Sequence, residues 1–180
     1  MVNGFLCVLM AGLLLSGCQS FINLQAWPPP YSLPAGSGVS INRDLSVAPY
    51  AVSVWIQYGK VLRRRDVNLS YANCRFELYT LQAVERTIYK GEARIEKFVN
   101  STDYVSSGFF TFASLVNVSG DDGASTAGIY STNIYLQSAK QPDLYRLICE
   151  HWDDPASGSY LTIAQIQEAL GNIATLHQSN

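Results

Sequence analysis

The feature that most constrains this chain is a series of short runs rich in valine, isoleucine, tyrosine and phenylalanine, divided by turn-forming residues. Such runs are typical of β-strands, because β-branched and aromatic side chains suit a pleated, half-buried surface. In the run 73–81, the apolar residues Cys74, Phe76 and Leu78 alternate with polar ones, which predicts one buried face. We predict strands over residues 51–58, 60–62, 73–81, 93–99, 108–118, 128–137 and 144–152, with a hairpin turn at Tyr58-Gly59-Lys60.

The C-terminal stretch has a different periodicity. Ile163, Ile166, Leu170 and Ile173 recur at intervals of three and four residues, as on one face of a helix. Thr162 and Gln165 match a capping box, so we predict a helix over residues 162–176. Gly171 lies inside the run and either weakens the helix or ends it nearby. The predicted fold class is therefore mainly β with a C-terminal helix, an antiparallel sandwich or curved sheet on which the helix packs.

The N-terminal segment indicates export. Residues 5–15 form an apolar run that is too short for a bilayer span of roughly 20 residues but is typical of a signal peptide. Leu15-Ser16-Gly17-Cys18 resembles the lipobox of bacterial lipoproteins, a resemblance that covers the first 18 residues only. It implies a signal peptide over residues 1–17, cleavage before Cys18, and lipid chains on Cys18 that anchor the protein. The alternative is a buried N-terminal helix in which Cys18 is a core thiol.

Two further expectations follow from the segment around this cysteine. Gln19 stands where many lipoproteins that are retained in the inner membrane have aspartate, so the resemblance implies sorting to the outer membrane. Residues 18–39 are rich in proline and then in glycine, a composition typical of an extended tether. We therefore predict a tether over residues 18–39 and a globular domain over residues 40–180.

Two of the four cysteines remain available for pairing in the mature chain, because Cys7 leaves with the signal peptide and Cys18 carries lipid. Cys74 and Cys149 both lie in predicted strands, and Cys149 shares a face with Leu147 and Tyr145. In an oxidising compartment such a pair forms a disulfide, which we predict. Two separate buried thiols are the alternative, whereas a redox-active pair is disfavoured because Cys-x-x-Cys spacing is absent.

The composition excludes some partners and offers little evidence of catalysis. A net charge of −2 lacks the basic field of a nucleic-acid-binding protein. The basic run Arg63-Arg64-Arg65 is interpreted as a solvated loop. We find no nucleophile elbow, phosphate-binding loop or zinc-protease helix, and no cofactor is predicted.

The best enzymatic candidate is His151-Trp152-Asp153-Asp154. His151 and Asp153 are weak candidate metal ligands, because Glu150 points to the opposite face of the strand and a site normally needs three or more ligands. A turn at Asp154-Pro155 that ends the strand explains the same residues more simply.

The sequence thus favours a non-catalytic outer-membrane lipoprotein that scaffolds or docks other envelope proteins. The predicted anchor, the tether and the abundance of tyrosines, which are enriched at interfaces, support this hypothesis. One alternative is a module that binds a small apolar ligand or lipid between Phe109, Phe110, Phe112 and neighbouring aromatics. The other is a metal-dependent hydrolase that uses His151 and Asp153.

Overall fold

A computed structural model describes residues 33–34, 36–106 and 126–178, and shows a strongly curved antiparallel sheet with one helix packed on it. The strands are β1 (Gly38–Ile41), β2 (Leu45–Val47), β3 (Ser53–Gln57), β4 (Lys60–Leu62), β5 (Asn73–Leu78), β6 (Arg86–Ile88), β7 (Gly91–Ser106), β8 (Thr126–Gln137), β9 (Leu144–Asp153) and β10 (Ala174–His177). A 3-10 helix covers Arg64–Asp66, and the α-helix α1 covers Ile163–Leu170. The predicted fold class is confirmed.

The main sheet has eight strands in the order β10-β1-β7-β8-β9-β5-β3-β4, and β2 pairs separately with β6. All neighbouring pairs are antiparallel. One face of the sheet packs against α1 and carries the hydrophobic core. We call this side of the sheet the core face. Its largest fully buried side chains, together with those of the helix and the small sheet, are Phe76, Leu45, Ile56, Ile88, Ile134, Leu144, Leu147, Ile166, Leu170, Ile173, Val39 and Val47.

The predicted disulfide is confirmed on the core face. Cys74 in β5 lies directly opposite Cys149 in β9, and their sulfur atoms are bonded at 2.09 Å. Both residues are fully buried. The disulfide therefore joins the two strands at the centre of the sheet.

The hairpin between β3 and β4 forms where it was predicted. Tyr58 and Gly59 both have positive φ. They form a two-residue turn whose geometry suits the twist of a hairpin. The Gly59 amide donates to the carbonyl oxygen of Ala169 at 3.0 Å, so the turn rests on the end of α1. A Cβ placed on Gly171 would lie 2.5 Å from the Gly59 Cα, which explains a glycine at this contact.

The helix prediction over residues 162–176 is wrong at its C-terminal end, whereas the alternative that Gly171 ends the helix nearby is confirmed. The capping box of Thr162 and Gln165 is present, but α1 ends at Leu170 and Gly171 turns the chain with φ 57°. Residues 174–176, which the sequence predicts to be helical, form β10 together with His177. The physical reason is that Gly171 redirects the chain, so that Ala174–His177 pairs with β1 and not with the next helical turn.

The predicted boundary of the tether is also wrong. β1 begins at Gly38, and Val39 is fully buried, so the last two residues of the predicted tether belong to the sheet. The sequence reasoning missed β1, β2, β6 and β10, because runs of three or four residues are too short to show periodicity. The predicted strand 108–118 lies outside the described residues.

Candidate functional site

The side of the sheet opposite the core face carries a groove of about 720 Å³. Alternate residues of β3, β5, β9, β8 and β7 point to this side, because successive side chains of a strand face opposite ways. The register places them in rows across the sheet: Glu77 lies opposite Arg146, which lies opposite Tyr135, and the next row contains Trp55, Arg75 and Ile148. The groove is thus built by five strands that are distant in sequence.

Four charged side chains form a continuous network along the floor of the groove. Glu77 accepts from Arg75 Nε at 3.1 Å with one carboxylate oxygen and from Arg146 Nε at 2.8 Å with the other. Arg75 Nη1 also lies 2.8 Å from Glu150 Oε1. Two arginines and two glutamates alternate, so each charge has an opposite neighbour and the network is neutral.

Burial within the groove makes this network different from ordinary surface ion pairs. The side chains of Glu77 and Glu150 are only 16% and 10% exposed. Burial acts to lower the pKa of Arg146, but the hydrogen bond and negative charge of Glu77 outweigh it, so the pKa is raised and the guanidinium stays charged. Its Nη1 donates to Asn133 Oδ1 at 3.1 Å, which fixes its orientation. The network therefore presents charges in defined positions.

Aromatic rings flank the charges. The guanidinium carbon of Arg75 lies 4.6 Å from the ring centroid of Trp55, and that of Arg146 lies 4.9 Å from Tyr145 and 5.9 Å from Tyr135. These distances are within the range of cation–π attraction. The groove therefore combines arginine, tryptophan and tyrosine, the residue types that are enriched in binding hot spots.

The position of Tyr145 corrects a prediction. Strict alternation along β9 assigned Tyr145 to the same face as Leu147 and Cys149. Instead, its ring packs against Tyr79 and Tyr135 at 4.2 and 5.5 Å, beside the groove. The reason is an irregularity at Glu77 and Leu78, where the pairing of β5 with β9 skips Tyr145, because a bulge redirects the side chain at that point.

One wall of the groove is held by a buried glutamine that sequence reasoning also missed. Gln57 is 3% exposed, and its Nε2 donates to the carbonyl oxygen of Asn68 at 2.8 Å while its Oε1 accepts from the Asn68 amide at 3.1 Å. These bonds fix the loop before β5, whose Leu69 lines the groove. Gln57 therefore positions the groove wall.

The weak metal candidates His151 and Asp153 lie close together at the end of β9, with His151 Nε2 3.8 Å from Asp153 Oδ2. Glu150 lies on the opposite face of the strand, as predicted from alternation, and lines the groove. Within residues 33–34, 36–106 and 126–178, no group of three histidine, cysteine or acidic side chains is placed to hold a metal ion. The Asp154-Pro155 turn is confirmed, because the Asp154 carbonyl accepts from the amides of Ser157 and Gly158.

Burial lowers the pKa of His151, although the neighbouring Asp153 opposes this shift. Its Nδ1 atom is buried and has no hydrogen-bond partner among the described residues. His151 also stacks on Tyr130, with ring centroids 5.9 Å apart. This environment favours the neutral imidazole.

The other predicted site residues divide into two groups. The arginines of the basic run are exposed as predicted, and Arg64 reaches the edge of the groove, 5.9 Å from the Trp55 ring. Cys18 and the three phenylalanines Phe109, Phe110 and Phe112 lie outside the described residues.

Comparisons of the chain with protein-family models, curated proteins and solved structures found no match. No helix in the described part of the chain has the length and hydrophobicity needed to cross a bilayer.

Proposed function

We propose that this protein is a lipid-anchored lipoprotein of the outer membrane that binds a segment of another envelope protein in the groove. The observation that carries the proposal is the concentration of Trp55, Tyr135, Arg75 and Arg146 around one concave site, because these residue types supply most of the binding energy in protein interfaces. Anchoring through Cys18 is the sequence-based part of the proposal.

The charges of the groove define what kind of surface fits it. The groove is lined by three arginines, two glutamates and one aspartate, so that positive and negative charges balance: Arg64, Arg75, Arg146, Glu77, Glu150 and Asp103. A strongly charged partner gains little from a balanced field. The expected partner segment is therefore polar but close to neutral, with apolar side chains that fit between the aromatic rings.

The two alternatives from the sequence receive less support. In the groove, the charges on the floor do not suit an apolar ligand, since desolvating them would be costly without new partners. The site proposed between Phe109, Phe110 and Phe112 lies outside the described residues. The metal-dependent hydrolase would depend on His151 and Asp153, which have no third candidate ligand within the described residues. We therefore propose a docking function and no catalytic one.

Site-specific photo-crosslinking in intact cells tests the groove. A photoreactive p-benzoylphenylalanine replaces Ser53 or Val99, which line the groove, and in a control replaces Glu168 on the exposed side of α1. We expect a discrete protein adduct from the two groove positions only. Adding Arg146→Ala should reduce that adduct by at least tenfold in a folded protein, since losing one hot-spot contact costs about 2 kcal/mol. Equal adducts from Glu168, or no groove adduct, would overturn the docking proposal.

Fractionation of cells that produce the Cys18→Ser variant tests the anchor separately. We expect the wild-type protein in the outer-membrane fraction and the variant in the periplasmic or precursor fraction, because serine cannot take a thioether-linked lipid. An unchanged membrane fraction for the variant would contradict lipidation at Cys18. It would leave the result at the groove intact.

A further inference from the structure

The strand β10 ends the main sheet on one side. It pairs with β1 on one edge, and no strand in the described part of the chain pairs with its other edge. The outward edge of such a strand presents backbone N–H and C=O groups that can pair with an added strand. An edge of this kind therefore needs protection or a partner.

The side chain of Gln167 occupies this edge. From α1, its Oε1 accepts from the Leu176 amide at 2.9 Å, and its Nε2 donates to the Ala174 carbonyl oxygen at 2.9 Å. These are the donor and acceptor that alternate residues of β10 direct away from β1. The glutamine amide carries the same donor and acceptor as a peptide group, so it takes the place of one peptide of a neighbouring strand.

The rest of the molecule holds Gln167 in this position. Ile166, Ala169 and Leu170 on the same helix are buried in the core, and Gln167 Nε2 also donates to the carbonyl oxygen of Gly171 at 3.1 Å. The helix is therefore fixed beside β10. The amide is aligned with the strand edge before any partner arrives.

The opposite edge of the sheet is protected by other means. β4 is only three residues long, and Arg63, Arg64 and Arg65 follow it directly. Short strands and positive charges are common ways of preventing edge pairing. β10 is also short, at four residues, but it has neither a run of cations nor a bulge, so the contact with Gln167 is its distinguishing feature.

We propose that Gln167 is a plug that prevents a second copy of this chain from pairing with β10. A second copy is the partner that fits, because two β10 strands that meet antiparallel about a two-fold axis present the same outward groups to each other. Such an isologous contact is the commonest route to a homodimer. Removing the plug exposes the Leu176 N–H and the Ala174 C=O, and both then pair across the axis.

Photo-crosslinking of the full chain in detergent micelles tests the plug. p-Benzoylphenylalanine replaces Gln178, which is exposed just beyond β10, and is combined with Gln167→Ala or with Gln167→Met, which keeps the length of the side chain without its amide. The matched control is Glu168→Ala, since Glu168 is the exposed neighbour on the same helix. Dimers are measured as a band at twice the monomer mass on a denaturing gel, and circular dichroism checks the fold.

We expect both Gln167 variants to give at least ten times more crosslinked dimer than the wild type or Glu168→Ala, with a yield that rises with concentration. Exchange of the Leu176 amide hydrogen should be fast in the dilute variants and slow again when they are concentrated. Variants that remain folded but give the wild-type dimer yield would overturn the plug. Loss of the folded state in both variants would also overturn it, because Gln167 would then act as a brace within the fold.

Discussion

The two faces of the central strands β5 and β9 differ in chemistry although the same two strands build both. On the core face, Cys74 and Cys149 are fully buried and form a disulfide. On the groove face, their neighbours Arg75 and Glu150 form an ion pair at 2.8 Å. The disulfide therefore also fixes the register on which the ion pair depends. The side chains that form the core and those that line the groove therefore alternate along the same two strands.

The largest effect is expected from removing the disulfide. The double variant Cys74→Ala/Cys149→Ala opens a loop with a sequence separation of 75 residues. The chain-entropy model then gives a loss of about 4 kcal/mol in the free energy of unfolding, which is measured by urea denaturation. Reduction of the wild-type protein should give a similar loss and should not affect the double variant. A double variant as stable as the wild type would show that the core face does not depend on its crosslink.

A smaller loss of stability is expected on the groove face. Glu77→Ala leaves Arg75 and Arg146 without their shared carboxylate, and breaking a fully buried pair costs about 3–5 kcal/mol. Because these side chains retain some exposure, we expect about 2 kcal/mol by urea denaturation. The matched control is Glu96→Ala, which removes an exposed carboxylate from β7 and should change stability by less than about 0.5 kcal/mol. Equal effects of the two variants would mean that the network is an ordinary solvated surface.

The smallest effect on stability is expected at His151, which lies near the C-terminal end of β9. Burial lowers its pKa in the folded state below the ordinary value of 6.5, so the unfolded chain binds its proton first as the pH falls. Stability should therefore decrease as the pH falls through 6.5 towards the lowered pKa. Thermal unfolding between about pH 7 and about pH 5 measures this, above the range in which most carboxylates titrate.

His151→Gln should flatten that pH dependence, whereas His177→Gln keeps His151 and should retain it. His177 is the matched control because it is the other histidine and lies exposed, 2.9 Å from Glu92. An unchanged pH dependence in His151→Gln would show that burial of the imidazole has no consequence for stability.

Part of the groove could be derived from the sequence once the disulfide is accepted. Placing Cys74 opposite Cys149 in an antiparallel pair puts Glu77 opposite Arg146, and the structure has this register. The alternation in 73–81 already assigned Arg75 and Glu77 to one face. The missed signal was that charged residues on both predicted strands share a face, which suggests a network and not a solvated surface.

Other parts could not be derived. The bulge that turns Tyr145 towards the groove depends on how β5 pairs with β9, and nothing in the run itself marks it. The predicted helix runs into β10 because the helical spacing of Ile163, Ile166 and Leu170 continues to Ile173. Local periodicity cannot show that pairing with β1 is more favourable than a further helical turn.

The sequence by itself determined the features that depend on near neighbours: the alternation of the strands, the Tyr58-Gly59 turn, the capping box of Thr162 and Gln165, and the pair of cysteines available for a bridge. Only the tertiary structure decided that the two cysteines pair, which sets the register of the groove network, and that Gln167 contacts β10. Arg146 and Glu77 are 69 residues apart, and they meet because the register of the sheet brings them together. Local propensity acts within a few residues, whereas strand pairing and the curvature of the sheet decide which distant side chains share a site.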